Sequence, residues 1–121
     1  MISIYKGEPS LNIALILSRL LPHISIAIFI SRKTYDVSVT DIIGHFVPDN
    51  DEIASVSGSH WGAEIQFQNG SIVKILVPNE SSRGNRLNVV FIEDCYSDNT
   101  ELINTIIKPM IRNYDGLLNK E

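Results

Sequence analysis

Cysteine is almost absent from this 121-residue chain. The single Cys95 excludes an internal disulfide and a cysteine-rich zinc site, and it fits a reducing compartment. Histidine is sparse as well: His23, His45 and His60 lie far apart, without the short spacing of zinc ligands. No run is long and apolar enough to span a bilayer. Ile13 to Ile30 comes nearest, and Ser18, Arg19, Pro22, His23 and Ser25 interrupt it. The opening MISIYKGEPS carries neither a secretory h-region nor a cleavage-like tripeptide, so the expectation is a cytoplasmic protein with no membrane partner. Positive charge is in deficit. Ten Lys+Arg against fourteen Asp+Glu give a formal net charge of −4, which weighs against holding DNA or an anionic membrane through the whole surface and leaves room for a local basic patch. Internal repeats and low-complexity linkers are missing, and Ser10, Ser31 and Ser71 have no nucleophile-elbow context, so no hydrolase triad is proposed.

What is present is a well-mixed globular composition, 44% hydrophobic and 20% charged, of a length that suits one domain over residues 1–121. Ile2-Ser3-Ile4 reads as a short strand and Lys6-Gly7-Glu8-Pro9 as a turn. From Ser10, a candidate N-cap, Ile13, Leu17, Leu20 and Leu21 recur at helical spacing, with Ala14 and Ile16 widening the apolar face. Pro22 stops that helix. Ile24 to Ile30 is apolar nearly throughout, the mark of a strand buried on both faces of a parallel sheet. Thr34 opens a second helix carrying Val37, Ile42, Ile43 and Phe46.

After the polar stretch Pro48 to Glu52 the pattern turns antiparallel. Ala63 to Phe67 and Ser71 to Val77 flank Gln68-Asn69-Gly70, and Asn-Gly between two such runs is a strong hairpin signal. Asn88 to Ile92 forms another buried strand, and residues 100–113 a last helix bent by Pro109. The order implies an α/β fold, a small sheet with parallel core strands, a β-hairpin and helices covering both faces.

Glu93 and Asp94 then stand beyond the carboxyl end of the strand from Asn88, where open parallel sheets bind ligands. An apolar strand ending in two acids is the arrangement P-loop NTPases use: one carboxylate holds Mg²⁺ and the other positions or deprotonates the attacking water. A strand leaving the core must also end on something polar, so the pair has a plain structural reading beside the catalytic one.

Four segments follow one another in a set order: Asn69-Gly70-Ser71-Ile72, Arg83-Gly84-Asn85-Arg86, Asn88 to Asp94, and Ile106-Ile107-Lys108-Pro109-Met110. The succession resembles the ATPase domain of the large terminase subunit, the motor that packages DNA into tailed-phage capsids. Ile24 to Ile30 with Ser31-Arg32-Lys33 looks like that family's second strand, and Leu11 to Leu21 like the helix after its phosphate loop, so the resemblance covers about residues 7–110. It implies a P-loop-NTPase-like sheet, Glu93 and Asp94 as catalytic and Mg²⁺-binding carboxylates, and Gly7 and Ser10 as remnants of the nucleotide-binding loop.

Two departures from the family pattern shape the functional expectation. Where the family has Gly-Lys-Ser/Thr, this chain reads Gly7-Glu8-Pro9-Ser10. Unit charges about 4 Å apart at an effective dielectric near 20 interact by roughly 4 kcal/mol, so replacing the lysine by Glu8 exchanges attraction for repulsion at a cost on the order of 8 kcal/mol, which solvent and counter-ions reduce by about half. Pro9 also removes an N–H from a loop that works by offering N–H groups to phosphate. Asp94 replaces the family's catalytic Glu and is shorter by one methylene. The expectation is a degenerate terminase-like domain, of phage origin, that binds a protein as decoy, regulator or inhibitor, with neither ATP nor Mg²⁺ as cofactor unless the phosphate site works.

Two other readings stand beside it: an Mg²⁺-dependent packaging ATPase completed by a neighbouring chain, or a nucleic-acid-binding module using Arg32, Lys33, Trp61, Arg83 and Arg86. Each of those five residues has a second reading as well. Arg32 and Lys33 are either phosphate contacts or a solvated pair closing a strand. Arg83 and Arg86 reach nucleic acid or a nucleotide across a subunit boundary, or pair with Glu80, Glu93 or Asp94. Trp61 is either an exposed aromatic for a partner or a lid over the hairpin. The possible partners are a motor subunit or host factor, DNA, and a second copy of the chain.

Overall fold

The computed structural model describes residues 2–59, 62–78, 87–96, 101 and 104. The elements, in chain order, are β1 (Ile2–Ile4), α1 (Glu8–Leu20), β2 (Ser25–Phe29), α2 (Arg32–Phe46), a 3₁₀ helix (Val47–Glu52), β3 (Ile53–Gly58), β4 (Gly62–Phe67), β5 (Ile72–Leu76), β6 (Val89–Ile92) and a 3₁₀ turn (Asp94–Tyr96). The six strands form one mixed sheet in the order β1-β6-β2-β5-β4-β3. β1, β6, β2 and β5 run parallel, and β4 and β3 complete the sheet antiparallel. The chain is therefore mixed α/β, as its alternating periods require. The helix expected over 100–113 lies outside the described elements.

β2 is the centre. Ile26 sits between Val73 and Val89, and Ile28 between Ile75 and Phe91, so its side chains meet apolar partners on both sides. On one face, Ile26, Ile28 and Ile30 pack with Val73, Ile75 and Phe91 against Leu11 and Ala14 of α1 and Tyr35, Ile42 and Phe46 of α2. On the other, Ala27 and Phe29 pack with Leu87, Val90 and Ile92. The connections β1 to β2 and β2 to β5 advance in one direction across the sheet. Right-handed crossovers then place both helices on one face, so the described helices flank one side of the sheet and not both.

The inner faces of the helices differ from the expected ones. In α1 the buried row is Leu11, Ala14 and Ser18, while Ile13, Ile16 and Leu20 are 47%, 52% and 73% exposed. α1 is apolar around most of its circumference, so period alone does not select the inward side. Small Ala14 and Ser18 allow the closest approach to the sheet. In α2, Tyr35 takes the inward place and Val37 is exposed.

The starts of both helices shift too. α1 is capped at Gly7, whose φ of 71° and ψ of −133° belong to a region open almost only to glycine, and Ser10 falls inside the first turn. α2 is capped by Ser31, whose hydroxyl accepts the Thr34 N–H at 3.2 Å, so Thr34 lies in the first turn and not at the cap. β3 is an additional strand. Its serine-rich Ile53-Ala54-Ser55-Val56-Ser57-Gly58 is exposed beyond Ile53 and lacks the hydrophobic alternation by which strands are recognised.

The β4–β5 hairpin forms as the Asn-Gly signal predicts, and its turn also fastens the molecule. Gly70 has a φ of 89° and supports His23, which would stand only 2.3 Å from any Cβ placed there. Asn69 donates its side-chain amide to the Ser18 carbonyl at 2.7 Å. The buried Ser71 hydroxyl donates to the Leu21 carbonyl at 2.6 Å and accepts the Ile24 N–H at 3.1 Å. The turn thus holds the end of α1 against the start of β2. Ser71→Ala strips partners from two backbone groups at once. It is expected to cost about 2 kcal/mol and to lower Tm by several degrees in a thermal melt, whereas Ser57→Ala, on the exposed β3, should fall within about 0.5 kcal/mol of the parent. Equal melting points for the two variants would refute the fastening role.

Candidate functional site at the carboxyl edge of the sheet

β1, β6 and β2 end side by side, and their carboxyl ends carry the residues singled out from the sequence. The parallel ladder continues past the strands: Tyr5 N–H donates to the Ile92 carbonyl at 2.7 Å and Glu93 N–H to the Phe29 carbonyl at 2.8 Å. Glu93 is thereby held beside the start of α2. Its Oε1 accepts the Ser31 backbone N–H at 2.9 Å, and its Oε2 accepts the Thr34 hydroxyl at 2.5 Å. Ser31 Oγ in turn donates to Thr34 Oγ1 at 3.0 Å. Cys95 Sγ lies 3.6 Å from Glu93 Oε1.

Burial alone raises the Glu93 pKa, but the hydrogen bonds from Thr34, Ser31 and Cys95 outweigh it, and the net position is below the ordinary carboxylate value. The resulting negative charge acts on its neighbours. Tyr5 and Cys95 are pushed up by burial and then by Glu93, and Tyr96 by burial and then by Cys95 and Glu93. A general base that deprotonates water works best with a pKa near the operating pH, and Glu93 is moved the other way. Its carboxylate serves as an anionic cap on α2, where the helix N-terminus favours negative charge.

Asp94 is exposed and opens the 3₁₀ turn. Mg²⁺ is commonly bound by one or two carboxylates together with waters and substrate phosphates, and Glu93 and Asp94 are the pair that the terminase resemblance implies for it. No third His, Cys, Asp or Glu among the described residues joins them to form a metal-binding group.

The turn from β1 to α1 consists of Tyr5, Lys6 and Gly7 alone. Lys6 N–H donates to Ser10 Oγ at 2.8 Å, and the Ser10 and Leu11 N–H groups donate to the Gly7 carbonyl at 3.1 and 3.2 Å. Gly7 and Ser10 do sit together, yet Ser10 Oγ points back to the chain as acceptor for Lys6. Pro9 offers no N–H. The amides of Lys6, Ser10 and Leu11 are directed at protein oxygens, which removes these three from the outward set that a phosphate would use.

Of the expected contact residues, Arg32 lies in the first turn of α2, pairs with Asp36 at 3.2 Å and sits over the Tyr35 ring at 5.5 Å. Lys33 beside it is exposed. Both belong to a helix and not to the end of a strand. Trp61, Arg83 and Arg86 lie outside the described residues. Ser31 and Thr34 are the site residues that sequence reading missed. Their three-residue spacing is a capping signal, but their bond to Glu93 joins positions 62 and 59 residues apart.

Among the described residues no helix is long and apolar enough to cross a membrane. No protein-family model, no curated protein and no solved structure matches the chain.

Because the folded state lowers the Glu93 pKa, its contribution to stability is present above the ordinary carboxylate range and is lost as pH falls through the lower folded value. Glu93→Gln is expected to cost about 1 to 3 kcal/mol at neutral pH and to show a shallower acid destabilisation than the parent in denaturant titrations at several pH values. Parallel acid profiles would remove Glu93 from that role.

Proposed function

We propose that this chain is a catalytically degenerate, terminase-like P-loop domain of phage origin that works in the host cytoplasm by binding a protein, either a packaging-motor subunit or a host factor. The observation that carries the proposal is helix α1. On the terminase resemblance, its first turn carries Glu8 and Pro9 in place of a phosphate loop's cationic and N–H donors; the Ser10 and Leu11 amides bond to the Gly7 carbonyl, and the Lys6 amide before the helix bonds to Ser10 Oγ. Its outer side presents Ile13, Ile16 and Leu20, continued by Leu21 at 47% exposure.

The same helix thus turns an acidic first turn and an aliphatic stripe to solvent. Beside it runs a groove of about 380 Å³ lined by Ser3, Ile4, Lys6, Pro9, Ser10, Ile13 and Phe91. An exposed aliphatic stripe next to a groove favours protein over nucleotide, and the formal charge of −4 favours protein over DNA. The state of Glu93 supports the same reading, because a carboxylate engaged by Ser31 and Thr34 has a structural reason to persist without hydrolysis.

Calorimetric titration with MgATP, with the Glu93→Ala/Asp94→Ala double variant as control, tests the degenerate phosphate site. The expected outcome is no saturable heat up to about millimolar nucleotide, since charge reversal at the loop weakens binding by orders of magnitude. Saturable heat that the double variant abolishes would overturn the proposal in favour of an active or partner-completed ATPase. A photo-crosslinking residue at Ile16 is expected to capture a partner in cells while one at Lys33 does not, and the reverse pattern would move the binding surface away from α1.

A further inference from the structure

The two ends of the sheet are unlike. β1 offers three residues, whereas β3 offers six, and β3 pairs only with β4 among the described residues. Natural edge strands are commonly blunted by lysine, proline or a bulge. From Ile53 to Ser59 this edge has neither charge nor proline, and its register irregularity falls between Ile53 and Ser55, leaving Ser55 to Gly58 regularly paired.

The direction of the backbone groups follows from the register. Ser59 N–H donates to the Gly62 carbonyl at 2.7 Å, in step with the pairs Ser57 to Glu64 and Ser55 to Gln66. Antiparallel ladders alternate, so the N–H and C=O groups of Ser55 and Ser57 face β4 and those of Val56 and Gly58 face away from the sheet. Val56 is 41% exposed.

We infer that β3 pairs antiparallel with β3 of a second copy about a two-fold axis at Ser57, joining two sheets into one. In that register Val56 of each copy faces Gly58 of the other, and the outward groups of these residues form about four hydrogen bonds. Gly58 has no side chain to meet the opposing valine, and the nearest atom to a Cβ there is Ala63 Cβ at 4.0 Å. Ser57 faces its own counterpart. No charge opposes its copy, which is the condition a self-paired strand must meet. The inference rests on the backbone of the β3 edge alone and uses neither the nucleotide site nor the exposed stripe of α1.

Sedimentation velocity over a concentration series is expected to show a reversible monomer–dimer equilibrium. Val56→Pro removes an N–H that faces away from β4, and Ser57→Lys sets like charges against each other across the axis. Each should weaken dimerisation at least tenfold, with circular dichroism confirming that the variants fold. In a Cys95→Ser background, Ser57→Cys should form a disulfide-linked dimer under mild oxidation while Lys33→Cys does not, because a facing pair of this kind brings Cα atoms to about 4.5 Å. A chain that stays monomeric at the highest concentration reached overturns the inference. So does a dimer indifferent to Val56→Pro and not linked through Ser57→Cys, or a monomer that instead takes up an added peptide strand at β3.

Discussion

Strand β2 has no polar face to give to water. Ile26, Ala27, Ile28, Phe29 and Ile30 are all fully buried, so the chain must place strands on both edges of β2 and cover both of its faces. Those requirements account for the parallel neighbours β5 and β6 and the helices on one side. They also account for the polar groups at its ends. Where β2 begins, Ser71 takes the Ile24 N–H and Asn88 Oδ1 takes the Ser25 N–H at 2.9 Å. Where it ends, Glu93 takes the Ser31 N–H. A buried amide without a partner costs on the order of 1 to 3 kcal/mol, so three side chains from the flanking strands close what the ladder leaves open.

This explains which parts of the fold were legible in the sequence. β2 and β6 were readable because continuous apolar runs tolerate burial on both faces, and the hairpin because Asn69-Gly70 supplies the turn. The inward side of α1 was not, because Ile13, Leu15, Ile16, Leu17 and Leu20 offer several apolar faces and the packed row was chosen by the small size of Ala14 and Ser18. β3 escaped notice because it lies at the exposed rim, where burial imposes no pattern. The helix starts were misplaced by three residues because a hydroxyl residue in the first turn, Ser10 in α1 and Thr34 in α2, looks like a cap until its partner is known.

The candidate site was legible in position and not in employment. A carboxylate after an apolar parallel strand must come out at the carboxyl edge of the sheet, and Glu93 does. What it bonds depends on the next strand delivering Ser31 and Thr34 beside it, a juxtaposition that no local pattern records. Sequence also pairs Glu93 with Asp94 as neighbours, whereas the structure engages the first with α2 and leaves the second exposed at a turn. An acid retained for capping is no evidence of hydrolysis, and its lowered pKa suits an ionised cap better than a base.

The magnitudes also limit what α1 can do for a partner. Burying the exposed remainder of Ile13, Ile16, Leu20 and Leu21 would contribute about 1 to 2 kcal/mol each. Association itself costs an estimated 4 to 15 kcal/mol in lost freedom, so the stripe alone leaves little surplus for a complex. A partner bound there would also have to fill the groove along β1, where Ser3 and Ile4 lie beside Pro9 and Ile13. That favours an occupant reaching both helix and sheet edge over one that touches the helix alone. The groove lies at the β1 end of the sheet, whereas the last turn of α1 reaches Glu52, the residue before β3, through Arg19, so an occupant centred on the groove is the one that leaves the β3 edge clear.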